Sequence, residues 1–108
     1  AGETGLIKAC IYGSLEVVRL FLDRGADIDH ADHYGTTGLI WARGNGILEV
    51  VRLLLDRGAE INHANQYGTT GLMMACTDGP RLEVVRLLLE SGADLSVTDQ
   101  VNINFINI

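Results

Sequence analysis

One 25-residue phrase occurs twice in this chain. Leu48 to Leu72 reads LEVVRLLLDRGAEINHANQYGTTGL, and Leu15 to Leu39 reads LEVVRLFLDRGADIDHADHYGTTGL. They differ at five pairs: Phe21/Leu54, Asp27/Glu60, Asp29/Asn62, Asp32/Asn65 and His33/Gln66, leaving 25 − 5 = 20 identical. A third copy begins at Leu82 as LEVVRLLLESGADLSVTDQ and then departs from the pattern. Gly25, Gly58 and Gly92 close the three copies, 33 and then 34 residues apart. A period near 33 marks an array whose units bury their apolar faces only against one another.

The phrase spells a helix, a stop, a loop and the start of a second helix. In LEVVRLLLDRG, Glu49, Arg52 and Asp56 share one face and Leu48, Val50, Val51, Leu53, Leu54 and Leu55 cover the rest. So narrow a polar stripe predicts an outer helix buried on most of its sides. Glu49–Arg52 and Arg52–Asp56 are spaced to pair on that stripe, each pair worth about 0.2–0.5 kcal/mol. The other copies repeat this with Glu16, Arg19 and Asp23, and with Glu83, Arg86 and Glu90. Gly58 supplies the left-handed residue that ends a helix. Asn62, Asn65 and Gly68 turn easily, and Thr70 is placed to cap the next helix.

The chain resembles the ankyrin repeat family. The residues that carry the resemblance are Asp32-x-x-Gly35-x-Thr37, then Leu39, Ala42, Gly46, Leu48-Glu49-Val50-Val51, Leu53-Leu54-Leu55 and Gly58-Ala59-Glu60-Ile61-Asn62. The likeness runs from about Gly2 to Asp99. It implies an all-α solenoid of antiparallel helix pairs with β-hairpin-like finger loops. One departure recurs in every copy. Where the family has Thr-Pro-Leu-His, this chain has Thr4-Gly5-Leu6-Ile7, Thr37-Gly38-Leu39-Ile40 and Thr70-Gly71-Leu72-Met73. The proline that presets the first helical φ is gone. So is the histidine that, in the family, hydrogen-bonds across the loop. Less rigid helix starts are expected.

At 108 residues the chain is expected to form one domain. Its repeats span about 1–31, 32–64 and 65–98, and 99–108 is a partial fourth repeat or a tail. No apolar run reaches the ~18 residues of a membrane span, and the first ten residues do not read as a signal peptide. The net charge of −6 argues against nucleic acid. The chain begins mid-repeat, with Thr4 capping an inner helix from Gly5 to Tyr12. No polar capping repeat precedes it, so the expectation is either a longer parent array or end-to-end association of copies.

The second inner helix is expected from Gly38 to about Asn45 and the third from Gly71 to about Asp78. Trp41 reads as core, or as half-exposed on a binding face. Met73 and Met74 read as core, or as a soft binding surface. Arg43 stands where the family usually has alanine. The extra residue of the third repeat lies in Thr77-Asp78-Gly79-Pro80-Arg81, stiffened by the only proline. The last stretch, Val97 to Ile108, leaves the pattern and is either a frayed or truncated tail or a strip folded back over the third repeat as a cap.

Cys10 and Cys76 hold the same repeat position. Two repeat spacings separate them by roughly 20 Å, given helix packing distances of about 8–10 Å, too far for a disulfide. Buried free thiols and a reducing, cytoplasmic setting are expected. His30, His33 and His63 are read as turn-surface residues rather than metal ligands. Neither a partnered Ser–His group nor a phosphate loop appears. No catalytic residue, metal or cofactor is expected.

Recognition remains. The resemblance implies that partners meet the finger tips and the concave inner-helix face. Here those positions are Ala31, His33, Tyr34, Thr36, Gly44 and Asn45, then Ala64, Gln66, Tyr67, Thr69, Thr77 and Asp78. Tyr34 and Tyr67 are the strongest anchors, since tyrosine is enriched at hot spots, unless they only brace their loops. Asp27, Asp29, Asp32, Glu60, Asp94 and Asp99 make the fingers acidic, while Arg19, Arg24, Arg52, Arg57 and Arg86 lie on the outer helices. A partner with a basic patch is favoured. The expected function is a non-enzymatic protein-binding module. The alternative is a scaffold piece without a partner of its own, from recent duplication or consensus construction.

Overall fold

The computed structural model describes residues 3–12, 14–42, 47–77 and 81–94. Six helices follow one another in pairs: α1 (Glu3–Tyr12) with α2 (Leu15–Asp23), α3 (Gly38–Trp41) with α4 (Ile47–Asp56), and α5 (Gly71–Thr77) with α6 (Leu82–Glu90). The inner helices α1, α3 and α5 stack in one row and the outer helices α2, α4 and α6 in another. Among the described residues the only β pairing is one antiparallel bridge, Ala31 to Thr37, which closes the first finger. The result is the all-α solenoid that the repeats imply.

The outer helices stop where the glycines stand. Gly25, Gly58 and Gly92 have φ of +90°, +91° and +98°, a region open to glycine at no steric cost. The amides just beyond reach back five residues, Ala26 to Phe21, Ala59 to Leu54 and Ala93 to Leu88, at 3.0, 2.9 and 2.9 Å. The same stop is made three times from the same Gly-Ala pair.

Burial follows position in the stack. In α4, Val50, Val51 and Leu54 are all buried, as the narrow polar stripe predicts. The flanking helices depart from that expectation. Val17 is 41% and Leu20 52% exposed on α2, although the repeat equivalent of Val17, Val50, is at 0%. Leu82 and Leu89 are 63% and 41% exposed on α6. Each outer helix has one side for the preceding helix and one for the next. Among the described helices only α4 packs against an outer helix on each side. The surface pairs Glu16–Arg19 and Glu83–Arg86 form at 3.3 and 3.4 Å.

Two helix boundaries differ from the sequence reading. The second inner helix is a single turn. Ala42, at φ −57° and ψ 122°, leaves it ahead of Gly44 and Gly46, each of which costs a helix about 0.8–1.0 kcal/mol against alanine. The first inner helix starts at Glu3, so Thr4 lies within it and is not its cap. The cap at Thr70 forms as expected, with an addition: Thr70 Oγ1 accepts the Met73 amide at 3.3 Å, and Met73 Sδ accepts the Thr70 amide at 3.4 Å. This is a reciprocal capping box with sulfur in the place of the usual Glu or Gln oxygen. Thr37, followed by Ile40 in place of Met73, makes no side-chain cap bond.

At two of its three positions the glycine that replaces proline has a steric cause. A Cβ on Gly38 would stand 2.8 Å from Cys10 Sγ, and one on Gly5 2.8 Å from the Phe21 ring. Proline carries that Cβ too. Cys10 is fully buried, and burial pushes its thiol up to about 12. Both cysteines are free. Cys76 is only half-buried, and burial raises its thiol as well. The Pro80 turn, Arg43 and the 99–108 segment lie outside the described residues.

Candidate partner-binding surface

The first finger is built around Asp32. Its Oδ1 accepts the amides of Tyr34 at 2.9 Å and Thr36 at 3.0 Å, and its Oδ2 accepts the Trp41 indole N–H at 3.0 Å. The second finger repeats this around Asn65, whose Oδ1 accepts the amides of Tyr67 and Thr69 at 2.9 and 3.0 Å. A short polar side chain that bonds the backbone two residues on makes such turns by itself. Each finger is also closed by backbone bonds, Asp32 to Thr36 and Asn65 to Thr69, both 3.0 Å.

The fingers are tied to each other. Asn65 Nδ2 donates to Thr36 Oγ1 at 3.0 Å, and the Gln66 amide donates to the Tyr34 carbonyl at 2.9 Å. His63 Nε2 donates to the Gly35 carbonyl at 2.8 Å, which fixes its tautomer. His63 thus departs from the expected plain turn residue. It makes a cross-loop bond of the kind lost with the family histidine, from another place in the repeat. Further bonds run from the Glu60 amide to Asp29 Oδ1 at 2.9 Å and from the Asp94 amide to Asn62 Oδ1 at 2.7 Å.

What this frame presents is aromatic. The His33 and Tyr34 rings lie 4.0 Å apart, and the Tyr34 and Tyr67 rings 6.0 Å apart at 31°. Tyr34 is 41% and Tyr67 65% exposed. Ala64 and Gln66 are exposed beside them, Ala31 and Thr69 are half-buried, and Thr77 is exposed at the end of α5. Thr36 is a correction: it is buried at 3%, with its hydroxyl engaged by Asn65, so it braces the fingers and presents nothing. Gly44, Asn45 and Asp78 lie outside the described residues. Trp41 is half-buried and serves the first finger through Asp32. Met73 is core and Met74 half-buried. Tyr12, strongly exposed on α1, was not anticipated. It is the repeat counterpart of Asn45 and Asp78, and counting back one period from Asn45 finds it.

The fingers are acidic, and the outer helices carry both signs, with Glu16, Asp23, Glu49, Asp56, Glu83 and Glu90 exposed beside the arginines. Arg19, Arg24, Arg52, Arg57 and Arg86 are exposed on or just after the outer helices, and Asp27, Asp29 and Glu60 are exposed on the fingers. These carboxylates also hold backbone. Asp27 accepts the Asp29 amide at 3.0 Å and Glu60 the Asn62 amide at 3.3 Å. At Asp32 burial opposes the charge, but the bonds from Trp41, Thr36 and Tyr34 and the nearby His33 outweigh it. Together they hold the carboxyl below its usual range.

That shift makes a pH prediction. A carboxyl whose folded pKa lies below its unfolded value of about 3.9 stabilises the fold above that value and loses the contribution as pH falls. In Asp32→Asn the amide group faces the Trp41 donor. The variant is expected to be less stable than the parent near pH 7, with the gap narrowing towards about pH 3. Urea midpoints at both pH values check this. A gap independent of pH would contradict it.

A family model described as ankyrin repeats, three copies, matches residues 6–99. The chain belongs to the ankyrin repeat family. Comparison with curated proteins gave no match. Ankyrin repeats are in general protein–protein interaction modules without catalysis of their own. Among the described residues, no group of three or more His, Cys, Asp or Glu is placed to hold a metal, and no helix is long and apolar enough to cross a membrane.

Proposed function

We propose that this ankyrin domain is a non-enzymatic module that binds a protein carrying a basic patch, through the fingers at Ala31, His33, Tyr34, Ala64, Gln66 and Tyr67 and the adjoining inner-helix positions. The observation that carries the reading is the exposed ring row His33–Tyr34–Tyr67 on backbone that is bonded within and between fingers. Rings on a fixed frame lose little conformational freedom on binding, and tyrosine brings large contact area with a polar end. The acidic fingers favour basic partners over acidic ones. Two free thiols suit a reducing, intracellular setting.

One observation favours a second reading, a stacking scaffold with no partner of its own. Asp27, Asp29, Asp32 and Glu60 all bond backbone amides, which gives each a reason to be present that needs no partner.

The test is retention of proteins from a cell extract on the immobilised domain, against a variant carrying His33→Ala, Tyr34→Ala and Tyr67→Ala. A protein held by the parent is expected to bind the variant at least about 30-fold more weakly, the equivalent of ~2 kcal/mol for a hot spot. Matching melting curves make the comparison valid. Equal retention, or none by the parent, would leave the scaffold reading.

A further inference from the structure

The ring row stands on two tight turns, and the first of them is held by its neighbour. Within the first finger, Asp32 Oδ1 accepts the Tyr34 amide and the Asp32 carbonyl accepts the Gly35 amide, both at 2.9 Å. The next two carbonyls of this tip are taken by the second finger. That of Tyr34 accepts the Gln66 amide at 2.9 Å, and that of Gly35 accepts His63 Nε2–H at 2.8 Å. The peptide planes on either side of Gly35 are thus both fixed from outside their own turn. Gly35 has φ +78°, and a Cβ there would meet Asn65 Cα and the Gln66 nitrogen at 3.4 Å. Glycine lets the two backbones approach, but it is also the residue with the most backbone freedom. The His63 bond removes that freedom.

We infer that His63 is the positioning residue of the ring row: by holding the Gly35 carbonyl it keeps Tyr34 in register with Tyr67, an inference that rests on the fingers being the binding surface. His63 is half-buried, while both tyrosines are exposed, so it sets the surface that a partner would touch. The two rings lie 6.0 Å apart, within the range of about 4.5–7 Å for interacting aromatic pairs. Once Gly35 is released, the turn that carries Tyr34 can open, and a ring left free must be ordered again when a partner arrives. The role needs a donor at the place of Nε2. Glutamine carries its amide N–H close to that place. Asparagine is shorter and stops near the place of Nδ1, out of hydrogen-bond reach of the Gly35 carbonyl.

The test is the nuclear Overhauser contact between the Tyr34 and Tyr67 rings, read with no partner present, in the parent, His63→Ala, His63→Asn and His63→Gln. The contact is expected in the parent and the glutamine variant, and should be lost in the alanine and asparagine variants. Exchange of the Gln66 amide should be faster in those same two. Parent-like α4 amide signals show that the fold is kept, and His63→Asn carries the test if His63→Ala does not fold. A general loss of stability would not follow the donor. Ring contacts unchanged in the alanine and asparagine variants, or lost equally in the glutamine variant, would overturn the proposal. Affinity for a protein retained by the immobilised domain should fall about 2–10-fold in His63→Ala, the equivalent of one hydrogen bond, and recover in His63→Gln. Undiminished affinity in a variant that has lost the ring contact would leave the role of His63 standing and overturn the fingers as the binding surface.

Discussion

Leu54→Ala is expected to cost this domain about 2–5 kcal/mol, the range for truncating a buried leucine. Leu54 is fully buried on α4, the one described outer helix that packs against another on each side. Its loss opens a cavity against both rows of the stack, and close-packed interiors relax only partly around such a void. Leu20→Ala removes the same atoms from the same kind of text. There the side chain is half in solvent, so a change within about 1 kcal/mol is expected. Urea unfolding of the two variants separates burial from composition. Similar losses would contradict the stacking order, because the repeats would then share the core evenly.

Gly38→Ala is expected to lose about 1–3 kcal/mol, although alanine is the better helix former. The added Cβ would meet Cys10 Sγ at 2.8 Å, and Cys10 is itself fully enclosed. Cys10→Ala makes room. The double variant Cys10→Ala with Gly38→Ala should therefore lose less than the two single losses added together, by about 0.5–3 kcal/mol. Gly71→Ala is the control: its Cβ would find Leu39 Cγ at 3.4 Å, which a small shift accommodates. Strictly additive losses at positions 10 and 38 would mean that the glycine is there for another reason.

The helix stops were legible because Gly25, Gly58 and Gly92 act on their own backbone and recur with the period. Residues that act across repeats were harder to read. His63 looks like a turn residue until the Gly35 carbonyl is beside it, 28 positions away. Thr36 was counted as a contact because the family's surface includes its position, yet Asn65 holds its hydroxyl in the interior. Asp32 in the first finger becomes Asn65 in the second. This accompanies the change from Trp41 to Met74: the carboxylate has an indole N–H to accept, whereas the Asn65 amide donates to Thr36 instead. A comparison of the two copies as linked pairs, not single positions, would have exposed that coupling. The ring row itself was legible in part, since Tyr34 and Tyr67 recur one period apart and so stand side by side in any stack.

Recognition is predicted to reside on the fingers. The most direct measurement is a chemical-shift map of the isotope-labelled domain titrated with a protein it retains. Shifts are predicted at His33, Tyr34, Ala64, Gln66 and Tyr67, with the outer-helix row Arg19, Arg52 and Arg86 unmoved. Shifts confined to that outer row, with the finger tyrosines unchanged, would contradict it.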